Sequence, residues 1–252
     1  MHPSPNSCGE PSFELPVNTV HIWSFPTKAS PHVVATFERD LAPEERDRAL
    51  RFRFHHLHES FVIARGALRQ LLGHYLDCNP AGVSFVYRSN GKPAVESPAC
   101  LQFNMTHSGD LAVIALTLKR ELGVDMEKIR PLPDMQAIAN RFFCPEEASD
   151  VMSFPQAERE RAFFLCWTRK EAYIKATGEG LSAALDTFRV TIHPDIPPRF
   201  LYIQHNETEA QAWTLHDLQV AVGYAAALAY RDQPRLLHVR SVADPGELLA
   251  MS

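Results

Sequence analysis

The amino-acid sequence predicts an α+β fold, in which helices pack on antiparallel sheets in each of two halves. In the first half, two predicted helical segments, one of them with apolar residues at helical spacing, precede strand-like runs. In the second half, a long helical segment precedes four short strand-like runs. Each half therefore combines helices with an antiparallel sheet, a pattern typical of α+β domains. No sequence repeat relates the two halves to each other.

The composition is that of a globular protein with a sizeable core. The chain has 252 residues, of which 45% are hydrophobic and 22% charged, enough for one large domain or two small ones. A net charge of -5 argues against a nucleic-acid partner that is bound through a strongly basic surface. The five cysteines include no CxxC pair, which favours free thiols in a reducing cytosol over a disulfide framework.

The N-terminal segment, residues 1–16, is predicted to be a flexible leader. It has neither the basic region nor the apolar region of a secretory signal. The sequence contains no run of about 18 apolar residues, so we expect no membrane-spanning helix. These observations predict a cytoplasmic protein without a membrane partner.

The first predicted half covers residues 17–119. The alternating segment "NTVHIWSF" predicts its first strand, and "APEERDRALRFRF", with a proline and acidic residues in its first turn, predicts a helix. "ESFVIARGALRQLLGHYL" predicts a longer helix from the spacing of its apolar residues. "VSFVYRSNGKPAV" predicts a strand that runs into a turn, and "LQFNMTHSGDLAVIALTL" predicts a hairpin with its turn near "SGD".

The second predicted half covers residues 120–252 and follows the first after a short connection. "ELGVDMEKI" predicts a short strand and "PLPDMQAIANRFF" a helix introduced by prolines. A long helix is expected from about residue 155 to 177, with Gly178 as the residue that ends it. The segments "FRVTI", "RFLYIQHN", "AQAWTLHD" and "QVAVGYAAALAY" then predict the strands of an antiparallel sheet.

Three carboxylates are candidates for a metal site. Asp125 and Glu127 lie at positions i and i+2 of a predicted strand and therefore point to the same face. Two solvated acids on an edge strand would explain this pair equally well. The apolar residues before the pair favour the metal interpretation, because they indicate partial burial. With Glu171 as the third carboxylate, the set would suit Mg²⁺, which prefers oxygen ligands and often bridges to substrate phosphates.

The segment "CWTRKEAYIKATGEGLS" predicts a helix face that carries an aromatic side chain, a carboxylate and a cation. Trp167, Glu171 and Lys175 fall on one stripe at i, i+4 and i+8, with Lys170 close beside it. An ordinary amphipathic helix with a surface ion pair is the alternative. Beside a metal site, Lys170 and Lys175 would face phosphate oxygens, and Trp167 would anchor the helix against the core.

A polar strand end with cations nearby is a candidate anion site. In "FNMTHSGD", the hydroxyl and imidazole groups of Thr106, His107 and Ser108 can donate hydrogen bonds to phosphate, although a polar hairpin end also explains them. Lys92 lies just upstream on the turn "NGKP", and Arg65 adds a further cation from the first half. Pairing with a nearby acid on the first-half helices is the alternative role of Arg65.

The motifs "NGKP", "FNMTHS", "GVDMEKI" and "WTRKEAYIKATGEGLS" resemble, in order and spacing, those of the 4′-phosphopantetheinyl transferase superfamily, particularly its surfactin-type (Sfp-type) monomers. The resemblance covers roughly residues 40–230. It implies a monomeric pseudodimer of two similar halves, with coenzyme A bound in the cleft between them and Mg²⁺ on its diphosphate. It also implies transfer of phosphopantetheine to a serine of an apo acyl or peptidyl carrier protein, with release of 3′,5′-adenosine diphosphate.

The resemblance also implies roles for single residues. Asp125, Glu127 and Glu171 match the metal-binding acids of the family, and Glu171 is the candidate for activating the attacking serine, with Lys175 beside it as the second catalytic residue. The residues expected to contact coenzyme A are Arg65, Lys92, Thr106, His107, Lys170 and Lys175. Arg65 is included because the position near Ser60, where the family often has an arginine for the 3′-phosphate, is not basic here.

Two other functions are compatible with parts of this pattern. Acids beside a lysine also occur in metal-dependent nucleases and phosphodiesterases, but the acidic net charge weighs against a nucleic-acid substrate. A non-enzymatic module that binds coenzyme A or a carrier protein is the second alternative, and the three intact carboxylates weigh against it. We therefore predict an enzyme, a 4′-phosphopantetheinyl transferase, that serves fatty-acid, polyketide or nonribosomal-peptide biosynthesis.

Overall fold

The computed structural model describes residues 14–88, 91–95, 100–180, 184–193 and 195–251. Its helices are α1 (Pro31–Asp40), α2 (Pro43–Leu50), α3 (His55–Leu76), α4 (Met135–Phe142), α5 (Pro145–Ser153), α6 (Arg159–Thr177) and α7 (Glu207–Gln211). Its strands are β1 (Thr19–Pro26), β2 (Phe85–Tyr87), β3 (Pro93–Val95), β4 (Leu101–Ser108), β5 (Leu111–Leu118), β6 (Leu122–Lys128), β7 (Phe188–Val190), β8 (Phe200–Ile203), β9 (Thr214–Asp217), β10 (Tyr224–Tyr230) and β11 (Leu236–Ser241). None of the helices in these ranges is both long and apolar enough to cross a membrane.

The first sheet has the strand order β11-β1-β5-β4. Helices α1 and α3 cover one of its faces, where Phe37 and Leu68 meet Trp23 and Ile114 in a common apolar core. Strands β4 and β5 form the predicted hairpin, with Ser108 beside Leu111 at its turn. Burying the apolar stripes of two helices against a sheet stabilises this half of the molecule.

The second sheet has the strand order β6-β10-β9 and is antiparallel throughout. One face packs on the first sheet, and Ile22, Val113, Val124 and Leu228 lie in the core between them. Helix α6 covers the other face and makes its most extensive contacts with β6 and β10. The layers are therefore helices, sheet, sheet and helix. This arrangement confirms the predicted α+β class with mainly antiparallel sheets.

The last strand, β11, belongs to the first sheet although it follows the second half in the sequence. It pairs in parallel with β1, from Leu236 beside Thr19 to Ser241 beside Ser24. Val242 then packs into the core that α1 and α3 cover. The predicted division of the chain at residue 120 does not anticipate this return. Of the predicted leader, residues 1–13 lie outside the described residues.

Strand β6 and helix α6 approach each other closely at Gly123. A Cβ atom at this position would lie 2.8 Å from the carbonyl carbon of Lys175, and closer still to the carbonyl oxygen of Ala172 and the nitrogen of Ala176. These are backbone atoms of α6, which cannot rotate away as a side chain can. Glycine at this position therefore sets how near the helix lies to the strand.

Helix α6 ends where the sequence predicted. Gly178 adopts a left-handed conformation with φ 75°, and its N–H donates to the carbonyl oxygen of Ile174 at 2.8 Å. Glycine takes this conformation without the steric cost that a Cβ atom brings. The chain consequently turns away from the helix less than one turn after Lys175.

Candidate active site

Asp125 and Glu127 lie on the face of β6 that α6 covers. Strand alternation places them on the same side, as predicted. Asp125 is buried, with 5% of its surface exposed, whereas Glu127 is half-buried. Helix α6 presents Glu171 and Lys175 to this face, one turn apart and both half-buried. The structure thus brings together four of the residues that the sequence predicted for the site.

An ion pair joins the helix to the strand at the centre of this group. Lys175 Nζ lies 2.6 Å from Asp125 Oδ1 and also donates to Thr106 Oγ1 at 3.3 Å. The Thr106 hydroxyl in turn donates to Asp125 Oδ1 at 3.2 Å. Because Asp125 is buried, salt screens this pair less than it screens a pair of fully exposed charges.

The local electrostatics change the acidity of Glu171. Burial raises the pKa of its carboxyl above the ordinary value, and the charge of Asp125 raises it further. Lys175 opposes this shift, and Glu127 adds a smaller increase. The three carboxylates therefore lie close enough to repel one another. The raised pKa also brings Glu171 nearer to the range in which a carboxylate is an effective proton acceptor.

A cleft of about 380 Å³ opens beside these residues. Glu171 and Lys175 line it from α6, Asn104 lines it from β4, and Lys92 lines it from the segment before β3. A larger cavity of about 560 Å³ lies between the end of α5 and the β7–β8 pair, and none of the predicted site residues lines it. The smaller cleft is therefore the candidate for the substrate site.

Lys92 is largely enclosed at the wall of this cleft. Its Nζ donates to the carbonyl oxygen of Leu122 at 3.0 Å and lies 3.4 Å from a carboxylate oxygen of Glu121. Burial, and then the charge of Arg88, lower the pKa of its ammonium to about 8. Lys92 therefore changes charge much closer to neutral pH than an ordinary lysine does.

One carboxylate oxygen of Asp125 makes no hydrogen bond to the described part of the protein. Asp125 Oδ1 accepts from Lys175 and Thr106, whereas Oδ2 is buried and has no hydrogen-bond partner among the described residues. A buried oxygen without a partner is costly, and a hard cation would satisfy it.

The three carboxylate side chains would have to rotate before they could bind one cation together. In the described part of the chain, no three acidic, histidine or cysteine side chains are close enough together to hold a metal ion as they stand. The residues fit Mg²⁺ through their oxygen chemistry and the open Oδ2 atom, and side-chain rotation would have to complete the ligand set.

His107 points away from the side of β4 that carries Thr106 and Ser108. Ser108 bonds Glu127, and Thr106 bonds Asp125, so the alternation of the strand directs His107 to the opposite side. Partial loss of hydration lowers the pKa of the His107 imidazole. The charges of Lys175 and Arg48 lower this pKa further, whereas the charge of Glu127 raises it. The three consecutive polar residues therefore do not form one anion cradle.

Comparison with known proteins identifies the family through matches to both halves of the chain. Residues 121–229 match the family described as the 4′-phosphopantetheinyl transferase superfamily, and residues 26–119 match the one described as 4′-phosphopantetheinyl transferase, N-terminal. The 4′-phosphopantetheinyl transferase HetI from Nostoc sp. is 35% identical over 234 residues, which are 90% of this chain and 95% of HetI. The chain belongs to the 4′-phosphopantetheinyl transferase superfamily. The 4′-phosphopantetheinyl transferase Sfp from Bacillus subtilis is 30% identical over 155 residues, which are 62% of this chain and 68% of Sfp.

These matches confirm the family that the four sequence motifs predicted. The chain is a transferase, and therefore an enzyme. A nuclease and a non-enzymatic binding module, the two alternatives that the sequence left open, have no support from these relatives.

Lys170 of this transferase does not face the cleft, contrary to our expectation. Its side chain is fully buried, and Nζ lies 2.7 Å from Glu147 Oε2. Nζ also donates to the carbonyl oxygens of Leu185 and Phe188, at 2.8 and 2.5 Å. Adjacent residues on a helix differ in direction by about 100°, which is why Glu171 lines the cleft and Lys170 does not. Lys170 has no hydrogen left to donate to coenzyme A.

Arg65 of the transferase is also committed to an internal ion pair. It is buried, its Nε donates to Glu45 Oε1, and its guanidinium lies 3.9 Å from the centre of the Phe85 ring. Arg69 Nε holds the other oxygen of Glu45 at 2.6 Å. The structure therefore shows the alternative, pairing with an acid on the first-half helices, and not an arginine free to bind the 3′-phosphate.

Trp167 anchors α6 as expected, although it is only half-buried. Its ring stacks on Phe163 at 5.9 Å and meets Phe142 of α4 edge-on at 5.9 Å. Phe143 lies 6.3 Å away on the same side. Aromatic pairs in these geometries add to the stabilisation that burial provides.

Two residues near the candidate site were not predicted. Arg48 is exposed on α2 and influences the pKa of His107. Asn104 Oδ1 accepts from the backbone N–H of Val124 at 2.8 Å and so ties β4 to β6. The sequence did contain a signal for Asn104, because it is one of the polar residues at every second position of β4 and therefore shares a face with Thr106 and Ser108. Nothing in the sequence indicated which strand Arg48 would approach.

Proposed function

We propose that this enzyme transfers 4′-phosphopantetheine from coenzyme A to a serine of an apo acyl or peptidyl carrier protein, in a reaction that requires Mg²⁺. The observation that carries the proposal is the meeting of Asp125, Glu127, Glu171 and Lys175 beside a cleft. One chain supplies all four residues, so we expect the enzyme to act as a monomer. We also expect it to act in the cytoplasm, where free thiols are stable.

In the proposed reaction the serine oxygen attacks the β-phosphorus of coenzyme A, and the bond from this phosphorus to the leaving 3′,5′-adenosine diphosphate breaks. Such transfers depend mainly on positioning and on neutralising charge. Lys175 and Lys92 line the cleft and would contact the diphosphate oxygens, and Thr106 offers a hydroxyl beside Lys175. These contacts would orient the phosphorus toward the incoming serine.

Asp125, Glu127 and Glu171 would hold the Mg²⁺ ion, which when bound neutralises charge on the diphosphate. Glu171 also has the properties of the group that accepts the serine proton. It lines the cleft in which the serine and the diphosphate would meet, so its carboxylate could take the proton directly or through a bound water.

For the 3′-phosphate we propose His107 and Arg48 in place of Arg65. Arg48 is exposed, lies close enough to His107 to influence its pKa, and lines a surface depression of about 600 Å³ with Glu44, Arg51 and Phe52, in which the two arginines outnumber the one acid. Arg48→Ala should raise KM for coenzyme A about tenfold, the effect of losing one hydrogen bond to a charged group. KM for 3′-dephospho-coenzyme A should not change. Arg161→Ala, at an exposed arginine of α6, is the matched control, and an equal loss with both substrates would refute the assignment.

A panel of apo carrier proteins tests the proposed function itself. Each carrier is incubated with enzyme, coenzyme A and Mg²⁺, and intact-protein mass spectrometry measures the gain of one phosphopantetheine group. We expect modification of at least one carrier, with no reaction in EDTA or with the serine replaced by alanine. Unmodified acyl, peptidyl and polyketide carriers at high enzyme concentration would contradict the proposal.

A further inference from the structure

The two sheets meet at neighbouring edge strands that are held together by side chains. Strand β4 ends the first sheet and β6 ends the second, and no backbone ladder joins them within the described ranges. Asn104, Thr106 and Ser108, at alternate positions of β4, all point toward β6. Side chains of the first half therefore determine how β6, which carries two of the proposed metal ligands, is held.

Ser108 makes two hydrogen bonds to β6 at once. Its Oγ accepts from the backbone N–H of Lys128 at 3.1 Å and donates to Glu127 Oε2 at 2.7 Å. A hydroxyl has one hydrogen, so accepting from the backbone leaves that hydrogen to point at the carboxylate. Arg130 Nη1 also contacts Oε2, at 3.4 Å. Both contacts to Glu127 fall on the same oxygen, and neither uses Oε1.

The same pattern occurs at Asp125, two residues earlier. There the Thr106 hydroxyl holds Oδ1, with Lys175 as the second donor, and Oδ2 is left open. Two hydroxyls, two residues apart on β4, thus hold one oxygen each of two carboxylates that are two residues apart on β6. A neutral hydroxyl restricts the rotation of a carboxylate while it leaves the negative charge in place for a cation.

We propose that Ser108 is a positioning residue of the metal site: by fixing Oε2 of Glu127, it keeps Oε1 available to the cation. This inference rests on the proposed function, because the cation is the one that the transfer requires. Hydrogen-bonding partners of metal-binding carboxylates commonly contribute about 10- to 100-fold to metal affinity. A purely structural hydroxyl would contribute to the stability of the strand pair and not to the affinity for the ion.

The test measures binding of Mn²⁺, as a paramagnetic substitute for Mg²⁺, to the full chain in the presence of coenzyme A. Electron paramagnetic resonance reports free Mn²⁺, so affinity is obtained without an activity assay. Ser108→Ala removes the hydroxyl, and Ser108→Thr keeps it. Ser153→Ala is the matched control, because Ser153 is an exposed serine whose hydroxyl donates to the carbonyl oxygen of Asp150 at 2.6 Å, in the α5 segment.

We expect Ser108→Ala to weaken Mn²⁺ binding by tenfold or more, and Ser108→Thr and Ser153→Ala to bind as the wild type does. Coenzyme A affinity in EDTA should be similar in all four proteins, and the melting temperature of Ser108→Ala should fall only slightly, through the loss of its bond to the Lys128 N–H. Wild-type Mn²⁺ affinity in Ser108→Ala, or equal weakening in Ser108→Thr, would overturn the inference. Modification of a carrier protein by the wild-type enzyme is measured in parallel. If the wild type modifies no carrier, the proposed function is contradicted. If it does, and Ser108→Ala has unchanged metal affinity, only the positioning role is contradicted.

Discussion

Replacing Gly123 with alanine should push α6 away from β6. The new methyl group would lie 2.8 Å from the carbonyl carbon of Lys175 and still closer to backbone atoms of Ala172 and Ala176, so the helix has to move as a unit. Overpacking of this kind costs about 2 to 3 kcal/mol, which for a chain of this size lowers the melting temperature by roughly 4 to 12 °C. A displacement of about 1 Å at reacting groups costs about 100-fold in rate. Both Glu171 and Lys175 are on the helix that moves.

The assay compares thermal unfolding and carrier modification at saturating coenzyme A. Gly82→Ala is the matched control, because a Cβ atom there would lie 3.9 Å from its nearest neighbour, Asn79. We expect Gly82→Ala to resemble the wild type in melting temperature and in kcat. A Gly123→Ala enzyme with wild-type melting temperature and kcat would show that the spacing of strand and helix does not depend on this glycine.

Four other changes should have separable effects. Asp125→Ala should lower kcat about 100-fold or more, through the loss of a hard ligand, while circular dichroism remains that of the wild type; wild-type turnover would remove Asp125 from the metal site. Lys170→Met removes the only cation paired with the buried Glu147 in the described part of the chain and leaves that carboxylate with the backbone N–H groups of Cys144 and Val190, so it should destabilise the fold by about 3 kcal/mol in denaturant titration; a stable variant with raised KM for coenzyme A would restore Lys170 as a ligand contact. Because burial holds the pKa of Lys92 near 8, its positive charge is lost as pH rises through that value. The affinity for coenzyme A measured by calorimetry should therefore fall between about pH 7 and 9 in the wild type and stay constant in Lys92→Arg. The same pH dependence of affinity in both proteins would refute this. Trp167→Ala should cost about 2 to 3 kcal/mol of stability, less than the loss of a fully buried tryptophan costs. An unchanged melting temperature together with weaker coenzyme A binding would instead make Trp167 a ligand contact.

The side-chain placements that the sequence predicted correctly are those fixed by local periodicity. Positions i and i+2 on a strand must share a face, and positions i and i+4 on a helix must lie one above the other. Asp125 with Glu127, and Glu171 with Lys175, needed only these two rules and the correct assignment of strand and helix. The predicted α+β class followed from the same periodicities.

The errors concern residues whose partners are distant in the sequence. Lys170 finds Glu147 on another helix, and Arg65 finds Glu45 on α2. Each lysine or arginine carried the charge that a phosphate requires, and its spacing gave no sign that an internal carboxylate would bind it first. Strand β11 is a similar case, because four of its six residues are exposed side chains, apolar and polar, that do not specify a partner strand.

The position of β11 has a consequence for how the protein is made. Strand β1 is synthesised long before β11, so one of its edges stays unpaired until β11 has left the ribosome. Contacts between such distant segments form late, because closing the long loop between them costs entropy. An exposed strand edge is also a site at which chains associate with each other. A protein that ends before Leu236 should therefore contain all of its candidate-site residues and still aggregate, since the edge of its first sheet would never be covered.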